Sequence, residues 1–158
     1  MTQTTPAPSA EDILALVSSQ QHLEGPLLPI LHAIQESYDH IPAIAVPLIA
    51  EALNIGKAEV HGVISFYHDF RDLPAGRHKV KICRAEACQA MGGTAMAEHA
   101  LERLGIEWHG TTANGAVTME PVYCLGLCAC APAAMVDDKV IGRVDAAKLD
   151  VILSEAGA

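Results

Sequence analysis

Signals for export and for membrane insertion are absent from the sequence. The N-terminal stretch MTQTTPAPSAED contains no basic segment followed by an apolar one, which a secretory signal would need. No apolar run approaches the roughly 20 residues of a membrane-spanning helix. We therefore expect a cytoplasmic protein with no direct membrane insertion.

Aromatic residues are scarce and the cysteines are odd in number. Aromatics make up 4% of the 158 residues, whereas 51% are hydrophobic, so the interior must consist mainly of aliphatic side chains. Five cysteines cannot all pair within one chain. In a reducing cytosol, clustered cysteines more often hold a metal or carry out redox chemistry than form structural disulfides. The sequence therefore predicts a metal or redox site among Cys83, Cys88, Cys124, Cys128 and Cys130.

Positive charge is scarce in the first half of the chain. Residues 1–76 carry two basic side chains against nine acidic ones, a net charge of −7, whereas residues 77–158 have a net charge of −2. The stretch LIAEALNIGKAEVHGVI has the pattern of a helix-turn-helix, but Lys57 is the only cation in its would-be recognition helix. Because phosphate contacts from Lys and Arg dominate DNA affinity, we expect no nucleic-acid partner.

Helical periodicity runs through the first half. Ser9 is the predicted N-cap of a first helix, and Pro47 is tolerated in a third helix only if that helix begins near Ala45. In the fourth helix, Val60, Ile64 and Tyr67 are spaced for one buried stripe. The first half is predicted to be a helical bundle or arm formed by SAEDILALVSSQQHL, LLPILHAIQESYD, PAIAVPLIAEALN and KAEVHGVISFYHDF.

The periodicity changes after the Pro- and Gly-containing segment DLPAGRHK. A helix ending at Gly105 and a last helix capped by Asp145 are predicted, together with a hairpin turn at Asp137 and Asp138. Four stretches read as strands: HKVKIC, IEWHG, AVTMEPVYC and AAMVDDKVIGRVD. The predicted fold class is α+β, with a helical domain over residues 1–75 and an α/β domain over residues 76–158.

The cysteines form two pairs with ligand-like spacing. Four residues separate Cys83 from Cys88, three separate Cys124 from Cys128, and 35 lie between the pairs. A 2Fe-2S cluster needs two thiolates on each iron, which two cysteine pairs can supply. Zinc with four thiolate ligands also fits such pairs. Spacing alone leaves both metals open.

The charges around the first pair favour a cluster slightly. Lys79, Lys81 and Arg84 flank Cys83 and could compensate the negative charge of an iron-sulfur cluster. They could equally occupy the solvent face of a strand. The same cations could instead lower the pKa of Cys83 and make it a reactive thiol, so a thiol-redox protein is an alternative.

The complete pattern resembles a known family. C-x4-C, followed after about three dozen residues by CLGLCACAP, is similar to the thioredoxin-like 2Fe-2S subunit of NADH dehydrogenase complexes, the complex I 24 kDa subunit family. LLPILHAIQE, IPAIAVPLIAEALNI and HGVISFYHDF resemble the helical region of that family. Within it, CRAEACQAMGG and VYCLGLCACAPAAMVD look most like the gamma subunit of NAD-dependent formate dehydrogenases.

This resemblance implies a site, a cofactor and partners. Cys83 and Cys88 would bind one iron of a single 2Fe-2S cluster, and Cys124 and Cys128 the other, in a thioredoxin-like ferredoxin domain. The cluster would exchange electrons with the FMN of an NAD-binding flavoprotein subunit, while a molybdenum-containing subunit handles formate. The chain would be a non-catalytic electron-transfer subunit, with no catalytic residue of its own. Alternatives are the equivalent subunit of NADH:quinone oxidoreductase (complex I) or of an NAD-reducing hydrogenase, and a zinc-binding or thiol-redox protein.

Cys130 departs from the family pattern, because relatives commonly have a small residue such as Gly at that place. It lies two positions after Cys128, too close for both thiols to reach one cluster without strain. Cys130 is therefore predicted to be a small packed loop residue and not a ligand.

Overall fold

The computed structural model describes residues 8–158, so the first seven residues of the predicted helical domain lie outside it. The chain divides between Pro74 and Ala75 into two compact units, here called the helical unit and the sheet unit. None of the helices in the described part of the chain has the length and apolarity needed to cross a membrane.

The helical unit contains four helices: α1 (Ala10–Gln20), α2 (Leu27–Tyr38), α3 (Ala45–Leu53) and α4 (Lys57–Phe66). The predicted start of α1 is confirmed, since the Ser9 hydroxyl accepts a hydrogen bond of 3.1 Å from the backbone N–H of Asp12. The start of α3 at Ala45 is also confirmed. It leaves Pro47 in the first turn, where no helical hydrogen bond is lost.

Long aliphatic side chains fill the interior of the helical unit. One prediction about this core is wrong, because α4 ends at Phe66 and Tyr67 is half-exposed outside the buried stripe. Phe70 is buried instead, with its ring centroid 5.0 Å from that of His32. The largest fully buried side chains of this unit are Ile13, Ile30, Leu31, Ile34, Ile49, Val17 and Val60.

The sheet unit has four strands and three helices. In chain order these are β1 (His78–Cys83), α5 (Glu86–Ala90), α6 (Gly93–Leu104), β2 (Val117–Val122), β3 (Ala133–Val136), β4 (Lys139–Gly142) and α7 (Ala146–Glu155). The sheet order is β2-β1-β3-β4, with β1 parallel to β2 and the other neighbours antiparallel. The α+β fold class predicted from the sequence is confirmed.

Strand β1 lies between β2 and β3 in the sheet, and its two faces have different surroundings. Val80 and Ile82 are fully buried and pack in a core with residues of α6 and α7, among them Ala97, Ala100 and Leu149. Because side chains alternate along a strand, Lys79, Lys81 and Cys83 belong to the opposite face. At the end of β1, the Cys83 side chain therefore lies outside the main core, on the opposite face of the sheet.

One prediction about this unit is wrong, one helix was not predicted, and three predictions are confirmed. IEWHG is not a strand: His109 and Gly110 hydrogen-bond to Met119, but the positive φ of 65° at His109 interrupts the extended backbone. The short helix α5 is not anticipated by the sequence. The helix stop at Gly105, the turn at Asp137 and the Asp145 cap, which accepts 2.8 Å from the Lys148 N–H, are all observed.

Candidate metal centre

The five cysteines lie on four segments of the sheet unit. Cys83 is the last residue of β1, and Cys88 lies in the short helix α5 that follows it. Cys124 lies in the loop after β2, and a single 3-10 turn contains both Cys128 and Cys130. Parallel pairing of β1 with β2 brings the two cysteine-bearing loops to the same edge of the sheet. All five thiols are free.

The first pair, Cys83 and Cys88, is buried. Each residue retains 2% of its accessible surface, and together with Ala133 they form an apolar cluster separate from the main core. Their thiols contact each other by a hydrogen bond. Gly93 makes this packing possible, since a Cβ at that position would lie 2.6 Å from the carbonyl oxygen of Cys88.

The second pair, Cys124 and Cys128, is exposed. Their sulfur atoms lie 3.6 Å apart, and the backbone N–H of Gly126 donates to the Cys124 sulfur at 3.3 Å. The loop turns sharply here, with positive φ values of 89° at Cys124 and 77° at Gly126. The left-handed conformation, which glycine adopts freely, is thus used twice to fold the loop around the sulfurs.

The two pairs meet in one place. The sulfur of Cys83 accepts hydrogen bonds from the backbone N–H groups of Cys124 and Leu125 in the second loop, as well as from Ala85 in its own. Cys128 in turn interacts electrostatically with both Cys83 and Cys88. The structure thus brings together the four cysteines that the sequence predicts as ligands.

The pKa values of the thiols are shifted in different directions: that of Cys83 is lowered, and those of Cys88 and Cys128 are raised. Burial raises the pKa of Cys83, but the N–H donors and the Cys88 thiol outweigh burial and bring it below its ordinary value. Burial is the main cause that raises the pKa of Cys88. The pKa of Cys128 is raised chiefly by its hydrogen bond with Cys124. The N–H groups around Cys83 thus already favour a thiolate there.

This donor set fits a 2Fe-2S cluster. Two contacting thiol pairs supply two thiolates for each iron, and backbone N–H groups directed at sulfur are the interactions that stabilise such clusters and tune their potentials. Within residues 8–158, no three His, Cys, Asp or Glu side chains converge as ligands of a single metal ion.

Cys130 has different surroundings from the other four. Its carbonyl oxygen accepts a hydrogen bond of 2.6 Å from the N–H of Arg143, and a Cβ at Gly142 would lie 2.8 Å from the Cys130 Cβ. Cys130 is not among the groups that shift the pKa values of Cys83, Cys88 and Cys128. These contacts of Cys130 are those of a loop residue packed against β4.

Two of the three cations near Cys83 in the sequence, Lys81 and Arg84, contact different partners. The Lys81 ammonium lies 3.5 Å from the buried carboxylate of Glu120. The guanidinium of Arg84 stacks 5.3 Å above the ring centroid of Trp108. Glu120 is not among the residues predicted from the sequence, although Glu in a strand-like stretch of otherwise apolar residues is itself a signal of a buried partner.

A thioredoxin-like fold with two converging cysteine pairs defines the class of an iron-sulfur ferredoxin. Residues 13–157 match the thioredoxin-like [2Fe-2S] ferredoxin family, and the chain belongs to that family. Its cofactor is a single 2Fe-2S cluster.

The relatives of the chain are named as subunits of several oxidoreductases. The chain is 30% identical to the NADP-reducing hydrogenase subunit HndA of Solidesulfovibrio fructosivorans, over 95% of this chain and 88% of that one. It is 36% identical to a subunit of the NADH-quinone oxidoreductase of Pseudomonas aeruginosa, over 78% of this chain and 76% of that one. It is 32% identical to the NAD-reducing hydrogenase HoxS subunit alpha of Cupriavidus necator, over 82% of this chain and 21% of that longer one.

A solved structure shows the same fold. The chain superimposes on the crystal structure of an NAD+-reducing [NiFe]-hydrogenase in the air-oxidised state with a TM-score of 0.65. The match has 24% identity and covers 80% of this chain and 22% of that chain. The thioredoxin-like fold inferred from sequence resemblance is confirmed, as is the family.

Proposed function

We propose that the chain is the electron-transfer subunit of an NAD-dependent formate dehydrogenase. The family and its relatives support the coarser part of this statement, since they are iron-sulfur subunits of oxidoreductases that use NAD, NADP or NADH. The formate dehydrogenase assignment rests on the resemblance of CRAEACQAMGG and VYCLGLCACAPAAMVD to the gamma subunit of those enzymes. It implies a cytoplasmic complex.

The main structural support for an electron-transfer role is the proximity of the two cysteine pairs. In the proposal, Cys83 and Cys88 hold one iron and Cys124 and Cys128 the other. When bound, the cluster accepts and releases one electron at a time. The chain itself supplies four sulfur ligands, N–H donors from Cys124 and Leu125, and a loop that leaves one cysteine pair at the surface.

Because one cysteine pair is buried and the other is exposed, the proposed site is open to a partner on one side only. Cys83 and Cys88 are enclosed by protein, whereas Cys124 and Cys128 face outward next to Tyr123, which is 73% exposed. An electron carrier must approach its partner closely, and the exposed loop is the side on which the chain permits this. We propose that an FMN-bearing, NAD-binding flavoprotein subunit docks on this side, with a molybdenum-containing subunit further along the electron path.

Two domains are part of the proposal. Residues 76–158 would form the ferredoxin domain, and residues 1–75 a helical domain with a separate role in assembly. The strongly acidic charge of the helical part supports this division of labour, because charged surfaces steer the docking of partner subunits.

The relatives themselves support a second candidate. Subunits of hydrogenases and of an NADH-quinone oxidoreductase are the named relatives at 30–36% identity, so the chain could serve the same step in either kind of complex. Zinc binding and thiol-redox chemistry are disfavoured by family membership.

Purification of the native complex through a tag on this chain separates these candidates. We expect molybdenum in the complex, together with reduction of NAD that depends on formate. Nickel with hydrogen-dependent activity, or quinone reduction by NADH, would replace the formate dehydrogenase assignment by one of its alternatives. Iron content and acid-labile sulfide of the separated chain test the cluster independently, and we expect two of each per chain.

A further inference from the structure

A buried ion pair lies two residue pairs along the β1–β2 ladder from the predicted iron ligand Cys83. In the parallel ladder of β1 and β2, Lys81 is opposite Glu120, and Cys83 is opposite Val122. The Lys81 ammonium is 3.5 Å from a Glu120 carboxylate oxygen, and Glu120 retains only 4% of its accessible surface. Full burial of a carboxylate is costly and therefore rare unless the group has a charged partner.

Strand geometry places this ion pair on the same sheet face as the Cys83 thiol. Side chains two positions apart on a strand point to the same side and are separated by about 6.6 Å along it. Val80 and Ile82, the residues in between, point into the core formed with α6 and α7. Lys81 and Cys83 are therefore neighbours on one face.

Arg84 is adjacent to Cys83 in the sequence, but its side chain does not lie on the face that Lys81 and Cys83 share. Its backbone N–H donates to the Val122 carbonyl at 2.8 Å, so the strand pairing continues for one residue past β1. Its guanidinium lies over Trp108, which packs against the same core as Val80 and Ile82. Although Arg84 directly follows Cys83, its charge belongs to the other side of the sheet.

The charges of the pair act on a cluster in opposite directions. Reduction adds one negative charge to the cluster, so a nearby cation favours the reduced form and a nearby anion the oxidised form. Bulk water and salt screen partly buried charges only weakly. Because the two members of the pair have opposite signs, removal of one leaves the opposite electrostatic effect of the other in place.

We propose that the Lys81–Glu120 pair sets the reduction potential of the cluster, with Lys81 raising the potential and Glu120 lowering it. This rests on the proposed function only in taking Cys83 as an iron ligand. Neither residue touches the reacting atoms in this proposal. They act through the electrostatic potential at the cluster end of β1.

The test measures the midpoint potential of the cluster in the full chain, by redox titration followed with the EPR signal of the reduced form. We expect Lys81→Met to lower the equilibrium constant for reduction about tenfold, which is about 59 mV for one electron. Glu120→Gln should raise it by a similar factor. The double variant should return to within about threefold of the parent, because both charges are then gone.

Arg84→Met is the matched variant on the opposite face and should shift the potential less than Lys81→Met. Shifts of equal sign in the two single variants, or an Arg84 effect as large as that of Lys81, would overturn the proposal. Iron content is determined for every variant. A Lys81→Met or Glu120→Gln protein that keeps two irons but shows no shift contradicts the role of the pair. Failure of Cys83 as a ligand appears separately, as iron content unaffected by Cys83→Ala.

Discussion

The two units of this chain place their buried residues in contrasting ways. The helical unit has one continuous interior of long aliphatic side chains such as Ile30, Leu31 and Ile34. The sheet unit has a main core with many small residues, including Ala97 and Ala100, and a second small cluster around Cys83 and Cys88. The described residues of the helical unit form one buried cluster, whereas the sheet unit has a separate cysteine-containing cluster beside its main core.

This contrast shows how a small fold combines stability with chemistry. In the sheet unit, the strands and the helices α6 and α7 form a rigid base, and the four thiols lie on the segments that leave its edge. Those segments contain few large apolar side chains and depend on N–H groups directed at sulfur. The order of that edge is therefore expected to depend on the metal, while the order of the helical unit does not.

The largest expected effect comes from removal of a cluster ligand. In the proposed ligand assignment, Cys83→Ala or Cys128→Ala leaves one iron with a single protein thiolate, so we expect loss of the cluster and of its visible absorbance. The helical unit has no thiol, so its far-UV circular dichroism should persist. Iron analysis and both spectra, recorded on the full chain, measure this.

Cys130→Ala is the matched substitution in the same loop. It removes a thiol from a residue whose contacts are with Gly142 and Arg143, so two irons per chain should remain. If Cys130→Ala removed the cluster while Cys128→Ala spared it, the ligand assignment would be wrong.

Core truncations come next in size. Ile34 is fully buried in the helical unit and Leu149 in the sheet unit, and replacement of either by Ala should cost about 2 to 5 kcal/mol of unfolding free energy. Urea unfolding followed by circular dichroism and by cluster absorbance distinguishes the units. We expect Leu149→Ala to lower the midpoint of cluster loss, and Ile34→Ala to affect mainly the helical signal. Equal effects of both variants on cluster absorbance would show that the units unfold together.

Local signals in the sequence predicted much of this architecture. Ser9, Pro47, Gly105, Asp137 and Asp145 have strong positional preferences, and each lies where its preference places it. The arrangement of cysteines in two pairs is also visible in the sequence, and the structure places Cys83 and Cys88 next to Cys124 and Cys128.

Features that depend on tertiary contacts could not be predicted in this way. The helix α5 has only five residues, too few for a periodic pattern, and it is fixed by its packing around Cys88. IEWHG has the composition of a strand but contains His109 with positive φ. The N–H donors to the Cys83 sulfur come from Cys124 and Leu125, some forty residues away, and no sequence pattern reports such a contact.

Substitutions of two glycines should change the unfolding free energy in opposite directions in the two units. A Cβ at Gly93 would lie 2.6 Å from the Cys88 carbonyl oxygen, so Gly93→Ala should displace α5 and cost about 1 to 3 kcal/mol. Gly62 lies inside α4 with open space around it, so Gly62→Ala should stabilise the helical unit by about 0.5 to 1 kcal/mol. Urea unfolding measures both, and an altered EPR line shape is expected for Gly93→Ala alone. A Gly93→Ala protein with parental stability and spectrum would show that the packing around Cys88 is loose.

The helix caps provide the same interaction in both units, and their loss should have small effects. Ser9 caps α1 and Asp145 caps α7, each accepting from the N–H three residues ahead at 3.1 and 2.8 Å. Replacement of either by Ala should cost about 0.5 to 2 kcal/mol, because one backbone donor loses its partner. The Asp145 cap follows Val144, whose N–H donates to the carbonyl of Pro132 in the cysteine-bearing loop. Asp145→Ala should therefore speed release of iron to a chelator, whereas Ser9→Ala should leave that rate unchanged, and equal rates in the two variants would mean that the site is insulated from α7.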